Sequence, residues 1–297
     1  MAVLSRKTPP AFLLCLFALL VLMGSPMAGP AEADHNSDNK KEVVLFPVTD
    51  EFAPLVADPK QPRFFASLQR FDSNYRETFT GASVGYGETF GVLRKNLGPQ
   101  HAWQFSLRGG LFSQFNMDTS SNNLLNSDYT LGVLWTYRYK HAAMRLRAYH
   151  QSSHLGDEFI KANPAVVSRS TGFDYEAVDW LGALTWRGFR VYGGPHLLLK
   201  RQPADLDRWG YQGGLEYNGT EEIVPYGCFV AGLDVKGFQQ LSWTPAYSVK
   251  AGLNFKDLGR PNRNIKVMAE FYDGFVPFGQ FYDYEMTSYG IGFYFGF

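Results

Sequence analysis

The sequence predicts an all-β fold, a closed antiparallel transmembrane β-barrel of about 12 strands that follows a cleaved signal peptide. Three observations lead to this prediction. The chain begins with an export signal, it then alternates apolar and polar residues over strand-length segments, and the connections between these segments alternate in length. A sheet with one apolar face toward lipid must close on itself, because the bilayer interior offers no hydrogen-bond partners to a free edge.

Residues 1–33 have the features of a secretory signal peptide. Two basic residues precede an apolar run from Ala11 to Met23, and small residues lead to a cleavage site after Ala33. The run is shorter than the roughly 20 apolar residues that a transmembrane helix needs. Once the signal is removed, Cys228 is the only cysteine, so no intramolecular disulfide is expected in the exported chain.

The composition argues against one class of partner and favours strands. The 28 basic and 28 acidic residues cancel, and there is no basic block, so nucleic acid is not an expected partner. Aromatic residues make up 16% of the chain and 30 residues are glycine, while the mean hydropathy is slightly negative at -0.21. An exported chain that is rich in aromatic residues and glycine, without long apolar runs, is typical of short alternating strands.

The segment before the first predicted strand, residues 34–63, is assigned to the periplasm. Residues 34–41 are polar and charged, which predicts a flexible start of the mature chain. Residues 42–63 contain four prolines and show little periodicity, which predicts irregular structure. The sequence leaves open whether residues 42–63 fill the lumen of the barrel.

The barrel itself is predicted over residues 64–297, where alternate residues are apolar in segments of strand length. The connections on the rim that holds both termini are short and those on the opposite rim are mostly longer, as in outer-membrane barrels with periplasmic turns. The connection near Gln239 is an exception, because it is short but falls on the long-loop rim. The glycines of GYGETFG, residues 85–91, indicate a bend or a larger side chain packed above them. The predicted strands, an even number, are 64–71, 81–95, 102–117, 128–139, 142–154, 176–187, 189–200, 209–218, 224–239, 243–256, 264–275 and 287–297.

The last predicted strand, SYGIGFYFGF, carries a strong membrane signal. A final strand with alternating aromatic residues and a terminal phenylalanine resembles the assembly signal of Gram-negative outer-membrane proteins. This resemblance implies the Gram-negative outer membrane as the location, with its lipids and the barrel assembly machinery as partners. The competing interpretation is a secreted, soluble β-sandwich. The residues that share the apolar face are Tyr289, Ile291, Phe293, Phe295 and Phe297.

The stretch YHQSSHLGDEF, residues 149–159, carries the candidate active site. In its strand the odd positions are polar and are expected to face the lumen, whereas the even positions are apolar and are expected to face lipid. His150 and Ser152 continue the lipid-facing set, and the parity of the next strand puts Glu176 on the same side. If the register shift between the two strands is small, Ser152 could be the nucleophile of an ester hydrolase, His150 its base and Glu176 the group that orients the imidazole.

The tripeptide HQS at a strand end on the lipid-facing rim resembles outer-membrane phospholipase A, and lipid A deacylase has a similar His-x-Ser with a glutamate as third member. Ser153 stands where these families carry asparagine. The resemblance implies a serine-type lipid hydrolase. Two longer stretches, FAPLVADPKQPRF near the start and YHQSSHLGDEF, resemble the family known as domain of unknown function 1207, which implies a barrel but no activity.

Other interpretations of the same stretch stay open. Asp157 and Glu158 are candidate calcium ligands, because carboxylates suit this ion and bound calcium would polarise a carbonyl group. Together with His150 and His154 they could instead form another kind of metal site. Alternatively, the histidines and Ser152 form a polar rim on a non-enzymatic barrel, either a narrow channel or a structural outer-membrane protein.

The predicted lumen contains a network of charged side chains. Arg145, Arg147, Asp179 and Arg187 have the parity of the inner face of their strands. Paired charges of this kind can fill a narrow interior and leave little or no channel.

Overall fold

The computed structural model describes residues 42–74, 76–163, 172–256 and 264–296. The predicted signal peptide, residues 1–33, and the terminal Phe297 lie outside these ranges. Among the described residues, no helix combines the length and the apolar character that crossing a membrane requires.

Within the described ranges the chain forms 13 strands, one short helix and two 3-10 turns, at Gln239–Leu241 and Gly279–Phe281. The helix α1 is Asp157–Ala162. The strands are β1 (Val43–Leu45), β2 (Phe64–Ser73), β3 (Arg76–Gly98), β4 (His101–Asn116), β5 (Leu124–Tyr139), β6 (Ala142–Leu155), β7 (Phe173–Trp186), β8 (Phe189–Gln202), β9 (Trp209–Val224), β10 (Gly227–Phe238), β11 (Ala246–Lys256), β12 (Asn264–Phe275) and β13 (Glu285–Gly296).

Strands β2 to β13 form a closed antiparallel barrel. Each strand pairs with its neighbours in the chain, and β13 pairs with β2 from Phe295–Phe64 to Met286–Ser73, which closes the ring. The predicted closed barrel of 12 antiparallel strands is therefore confirmed. The short strand β1 was not predicted, and it pairs with the part of β3 that extends below the start of β2.

The two rims of the barrel differ in their connections. Two-residue turns join β3 to β4, β5 to β6, β7 to β8 and β9 to β10, on the rim where β2 begins and β13 ends. Each turn has a residue with a left-handed φ of 48° to 63°, namely Gln100, Lys140, Arg187 and Tyr226. Such φ values suit tight hairpins, because their twist matches that of the strands. The connection near Gln239, which the sequence marked as an exception, contains a 3-10 turn.

Polar side chains point into the barrel and apolar side chains point out. Arg145 and Asp179 are 1% and 4% exposed, whereas the next residues in their strands, Leu146 and Trp180, are each 43% exposed. The alternation follows from strand geometry, since successive side chains leave opposite faces. Further exposed apolar residues on the outer wall include Leu68, Tyr86, Phe90, Leu131, Leu184, Val191, Tyr289, Ile291 and Phe293.

The lumen network predicted from sequence is correct for three of its four members. Arg145 and Arg147 both bind the carboxylate of Asp179, at 3.1 Å and 2.5 Å. Arg187 does not belong to the network, because it lies in the tight turn after β7 and its guanidinium stacks 4.8 Å from the ring centre of Trp186. Among the residues after this turn, Arg190 points into the lumen and binds Glu216.

Residues 50–63, here called the plug, fill the lumen. Phe52, Leu55 and Val56 of the plug are at most 2% exposed. Plug side chains form ion pairs with strands on several sides of the barrel: Glu51 with Arg94 and Arg138, Asp58 with Lys236, and Lys60 with Asp128. The sequence left open whether residues 42–63 fill the lumen. For residues 50–63 the structure shows that they do, because partners on β3, β5 and β10 can be reached together only from inside the barrel.

Glycines in the wall make room for the plug and for large inward side chains. Phe65 packs over Gly85, and Pro62 of the plug packs over Gly87. A Cβ atom placed on Gly232 would lie 3.0 Å from the Cβ of Val56 and 3.2 Å from the Cβ of Ala57, closer than most side chains tolerate. Of the two readings of the GYGETFG glycines, the structure therefore shows packing by larger groups.

Candidate active site

His150 and Ser152 lie on the outer face of β6. His150 is exposed and Ser152 is half-buried, whereas the neighbouring Gln151 and Ser153 are 5% and 3% exposed. This difference in exposure follows from the pleat of the strand, in which residues two apart share a face. Both side chains stand near the loop end of β6, which ends at Leu155.

The register of β5, β6 and β7 sets the neighbours of these two residues. His150 lies opposite Leu131 of β5 and opposite Glu176 of β7. Residues directly opposite each other in antiparallel strands have Cβ atoms roughly 4.5–5.5 Å apart. The structure thus brings His150 and Glu176 side by side on the outer wall, with Ser152 two residues further along the same face.

A second row of side chains lies next to the first. Ser152 is opposite Tyr129 on β5 and opposite Asp174 on β7. The ring of Tyr129 contacts the ring of His154 edge-on, with centres 5.8 Å apart. Sequence reasoning did not single out Tyr129 as part of the site. Its position could have been predicted from strand parity, because Tyr129 lies on the same odd-numbered face of β5 as the exposed apolar residues Leu131 and Val133.

Glu176 has a second neighbour. A β-bulge in the β7–β8 pairing puts Lys200 opposite Glu176, and the ammonium lies 3.9 Å from the carboxylate. Both side chains are largely exposed, at 76% for Lys200 and 52% for Glu176. Within the described residues no hydrogen bond joins His150 to Ser152 or to Glu176. Catalytic hydrogen bonds are often long in proteins without bound substrate. The strand register, rather than a hydrogen bond, therefore places His150, Ser152 and Glu176 next to one another.

The side chain of Ser153 lies on the opposite, lumen-facing side of the same strand. Its hydroxyl donates a hydrogen bond of 2.9 Å to the side-chain oxygen of Asn126, and its carbonyl accepts one of 3.0 Å from Gln280. These contacts hold the loop end of the barrel together. Ser153 is therefore a structural residue, although it stands beside Ser152 in the sequence.

Asp157 and Glu158 lie in the first turn of α1, just beyond β6. Phe159 anchors this helix, because it is 3% exposed and packs edge-on against Phe281 at 5.4 Å between ring centres. Both Asp157 and Glu158 are exposed. The part of the chain that the structure describes has no group of three or more His, Cys, Asp or Glu side chains placed to hold a metal. Calcium takes six to eight oxygen ligands, so these two carboxylates do not by themselves form the predicted calcium site.

The closed barrel, its apolar outer wall and its polar lumen define the fold of an outer-membrane-type β-barrel protein. The chain belongs to the family described as Protein of unknown function (DUF1207), whose profile matches residues 38–297. A search of curated proteins found no match.

Solved structures with the same fold include outer membrane phospholipase A. The Escherichia coli protein is 11% identical, with a TM-score of 0.54, and the match covers 78% of this chain and 89% of that one. The Salmonella typhi outer membrane phospholipase, a dimer with bound calcium, is 12% identical, with a TM-score of 0.55 and coverage of 82% and 94%. At this identity the likeness establishes the fold, while the activity and the calcium are those of the similar proteins.

Proposed function

We propose that this protein is a hydrolase of lipids or other acyl esters in the Gram-negative outer membrane, with its active site on the lipid-facing wall. The observation that carries the proposal is the shared outer face of His150 and Ser152, with Glu176 directly opposite His150. Ionisable side chains are costly on a lipid-facing wall, so a histidine and a glutamate there call for a function. The barrel resemblance to outer membrane phospholipase A supports the same class of reaction.

The chemistry follows from the order of the three side chains. His150 takes the proton of the Ser152 hydroxyl as its oxygen attacks the ester carbonyl, and Glu176 orients the imidazole and stabilises its cation. The protonated His150 then gives the proton to the departing alcohol, which leaves an acyl group on Ser152. Water, activated by the same imidazole, releases the fatty acid. No step of this scheme uses calcium.

The outer wall supports the proposed location. On β13 the exposed side chains include Tyr289, Ile291 and Phe293, which would face the acyl chains of the bilayer. Substrates would then reach Ser152 by lateral diffusion within the membrane. The same aromatic strand is the part of the chain that we propose the barrel assembly machinery recognises.

A non-enzymatic barrel is the second candidate function. The pairing of Glu176 with Lys200 favours it, because a carboxylate held by a lysine is less available to orient His150. In that case the polar residues on β6 and β7 form a rim where the apolar band ends. Such a protein would release no fatty acid from any lipid.

Whether the protein cleaves an ester bond distinguishes the two candidate functions. Purified full-length protein in detergent is expected to release fatty acid from an ester-linked phospholipid. It is expected to leave the ether-linked analogue of the same chain length intact, because an ether has no carbonyl for Ser152 to attack. The measurement is free fatty acid by mass spectrometry over time. No release from the ester by protein whose heat-modifiable gel mobility shows a folded barrel would favour the second candidate.

A further inference from the structure

The plug touches the barrel wall through side chains. Arg190 donates hydrogen bonds of 2.8 Å and 2.9 Å to the carbonyls of Ala53 and Pro54, and Glu216 accepts one of 2.6 Å from the backbone N–H of Val56. Within the described residues the plug adds no strand to the sheet. Loss of these contacts would therefore leave the backbone pairing of the barrel intact.

Both ends of the plug lie at the same rim. Before it, β1 pairs with β3 at Lys95, close to the tight turn that follows β3. After it, β2 begins at Phe64, opposite Phe295 near the end of β13. Between these ends the plug reaches Lys236, two residues from the loop end of β10. The plug is thus a loop that rises into the lumen and returns, so it could withdraw without passing through the wall.

The acidic side chains of the plug face cations on the wall. Glu51 binds Arg94 at 2.8 Å and Arg138 at 2.5 Å, and Asp58 binds Lys236 at 2.5 Å. Burial acts to raise the pKa of Asp58, but the Lys236 ammonium, with hydrogen bonds from Lys236 and the Lys60 backbone, holds that pKa well below its ordinary value. Asp58 is therefore ionised at neutral pH. Withdrawal of the plug would uncover these three wall cations and one wall carboxylate, that of Asp128, which pairs with Lys60 of the plug. The exposed cations outnumber the carboxylate and attract anions.

We propose that the plug is a displaceable seal on an anion-permeable lumen, so that the barrel conducts anions once the plug has left. The inference is independent of the hydrolase, because the lumen and the outer-wall site lie on opposite faces of the sheet. A twelve-stranded barrel lies between small barrels that side chains fill and larger barrels that leave a water-filled channel. Here the buried Phe52, Leu55 and Val56 of the plug occupy space that the wall side chains leave open.

The test uses full-length protein in planar lipid bilayers, in a Cys228→Ser background. The double variant Glu51→Lys/Asp58→Lys sets cations of the plug against Arg94, Arg138 and Lys236, which should drive the plug out. We expect the background protein to show no conductance steps. The double variant should show steps, with a reversal potential in a KCl gradient that reports current carried mainly by chloride.

A disulfide lock shows whether the plug itself is the seal. Adding Ala57→Cys and Gly232→Cys to the double variant joins the plug to β10, where the two Cβ positions are 3.2 Å apart, so a small shift of the plug brings them to the roughly 3.5–4.5 Å of a disulfide. We expect the oxidised protein to lose its current and a reductant to restore it. Heat-modifiable mobility verifies folding of each variant.

Three results would overturn the proposal. One is a folded double variant that shows no current, either by itself or with the two added cysteines reduced. Another is a current that persists when the disulfide has formed. The third is a current carried mainly by potassium. As a matched control, Asp58→Lys combined with Lys236→Asp restores an ion pair of opposite orientation, so this variant should be as silent as the background protein.

Discussion

The Ser152→Ala variant is expected to release fatty acid at least about 1000-fold more slowly than the wild type, because it removes the proposed nucleophile. Ser152 is half-buried on the outer wall, and the structure shows no hydrogen bond from its hydroxyl to His150 or Glu176. Its replacement should therefore change stability little. The measurement is the initial rate of fatty-acid release from ester-linked phospholipid at equal amounts of folded protein.

Ser153→Ala is the matched control for this variant. It makes the same chemical change one residue away, but on the lumen face, where the Ser153 hydroxyl donates to Asn126. It should cost about 1 kcal/mol of stability through that hydrogen bond and keep the activity. Unchanged turnover in Ser152→Ala, or equal losses in the two variants, would end the assignment of Ser152 as nucleophile.

The Glu216→Ala variant is expected to lower the free energy of unfolding by about 3–5 kcal/mol, because it leaves a buried cation without its partner. Glu216 is 0% exposed, and it binds Arg190 with one oxygen and the Val56 N–H with the other. The variant thus weakens both the wall and the seat of the plug. Urea titration in lipid vesicles, followed by tryptophan fluorescence, measures the change.

Glu176→Ala supplies the comparison for stability. Its partner Lys200 is 3.9 Å away, and both side chains are largely exposed. Exposed ion pairs contribute up to about 1 kcal/mol, so the free energy of unfolding should change by no more than that. Similar destabilisation of the two variants would contradict the assignment of the lumen as the place where buried charges stabilise this fold.

The strands could be predicted because the environment of a barrel enforces a simple pattern. One face meets apolar surroundings and the other a polar lumen, so alternation persists along each strand. The predicted segment 264–275 has the bounds of β12, and the predicted segment 142–154 ends one residue before β6 does. Strand ends were less accurate where a strand is long, as in β3, which extends beyond the predicted 81–95 at both ends.

The position of the plug inside the lumen could not be predicted from the sequence. Residues 42–63 contain four prolines and little periodicity, so no local pattern indicates which residues they contact. Their partners, such as Lys236 for Asp58, lie far away in the chain and meet them only after the barrel has closed. The same limit explains Arg187, since its parity pointed to the lumen but a tight turn begins at that residue.

The sequence was sufficient to predict which face of the sheet carries the candidate site, but not every residue that lies next to it. Strand parity alone sets the outward face of His150 and Ser152, and a small register shift suffices to put Glu176 opposite His150. Lys200 escaped prediction because a bulge adds one residue to β8 between its pairings with Ala177 and Glu176. A bulge of this kind re-aims side chains and has no reliable signature in one sequence.

The most direct test of the central claim, that Ser152 is a nucleophile on the lipid-facing wall activated by His150, is covalent labelling with a long-chain fluorophosphonate. Mass spectrometry of the labelled full-length protein locates the modified residue. The account predicts a label on Ser152 and none on Ser153, and a loss of labelling in a folded His150→Gln variant. A folded wild-type protein that takes no label, or takes it equally well without His150, would contradict the account.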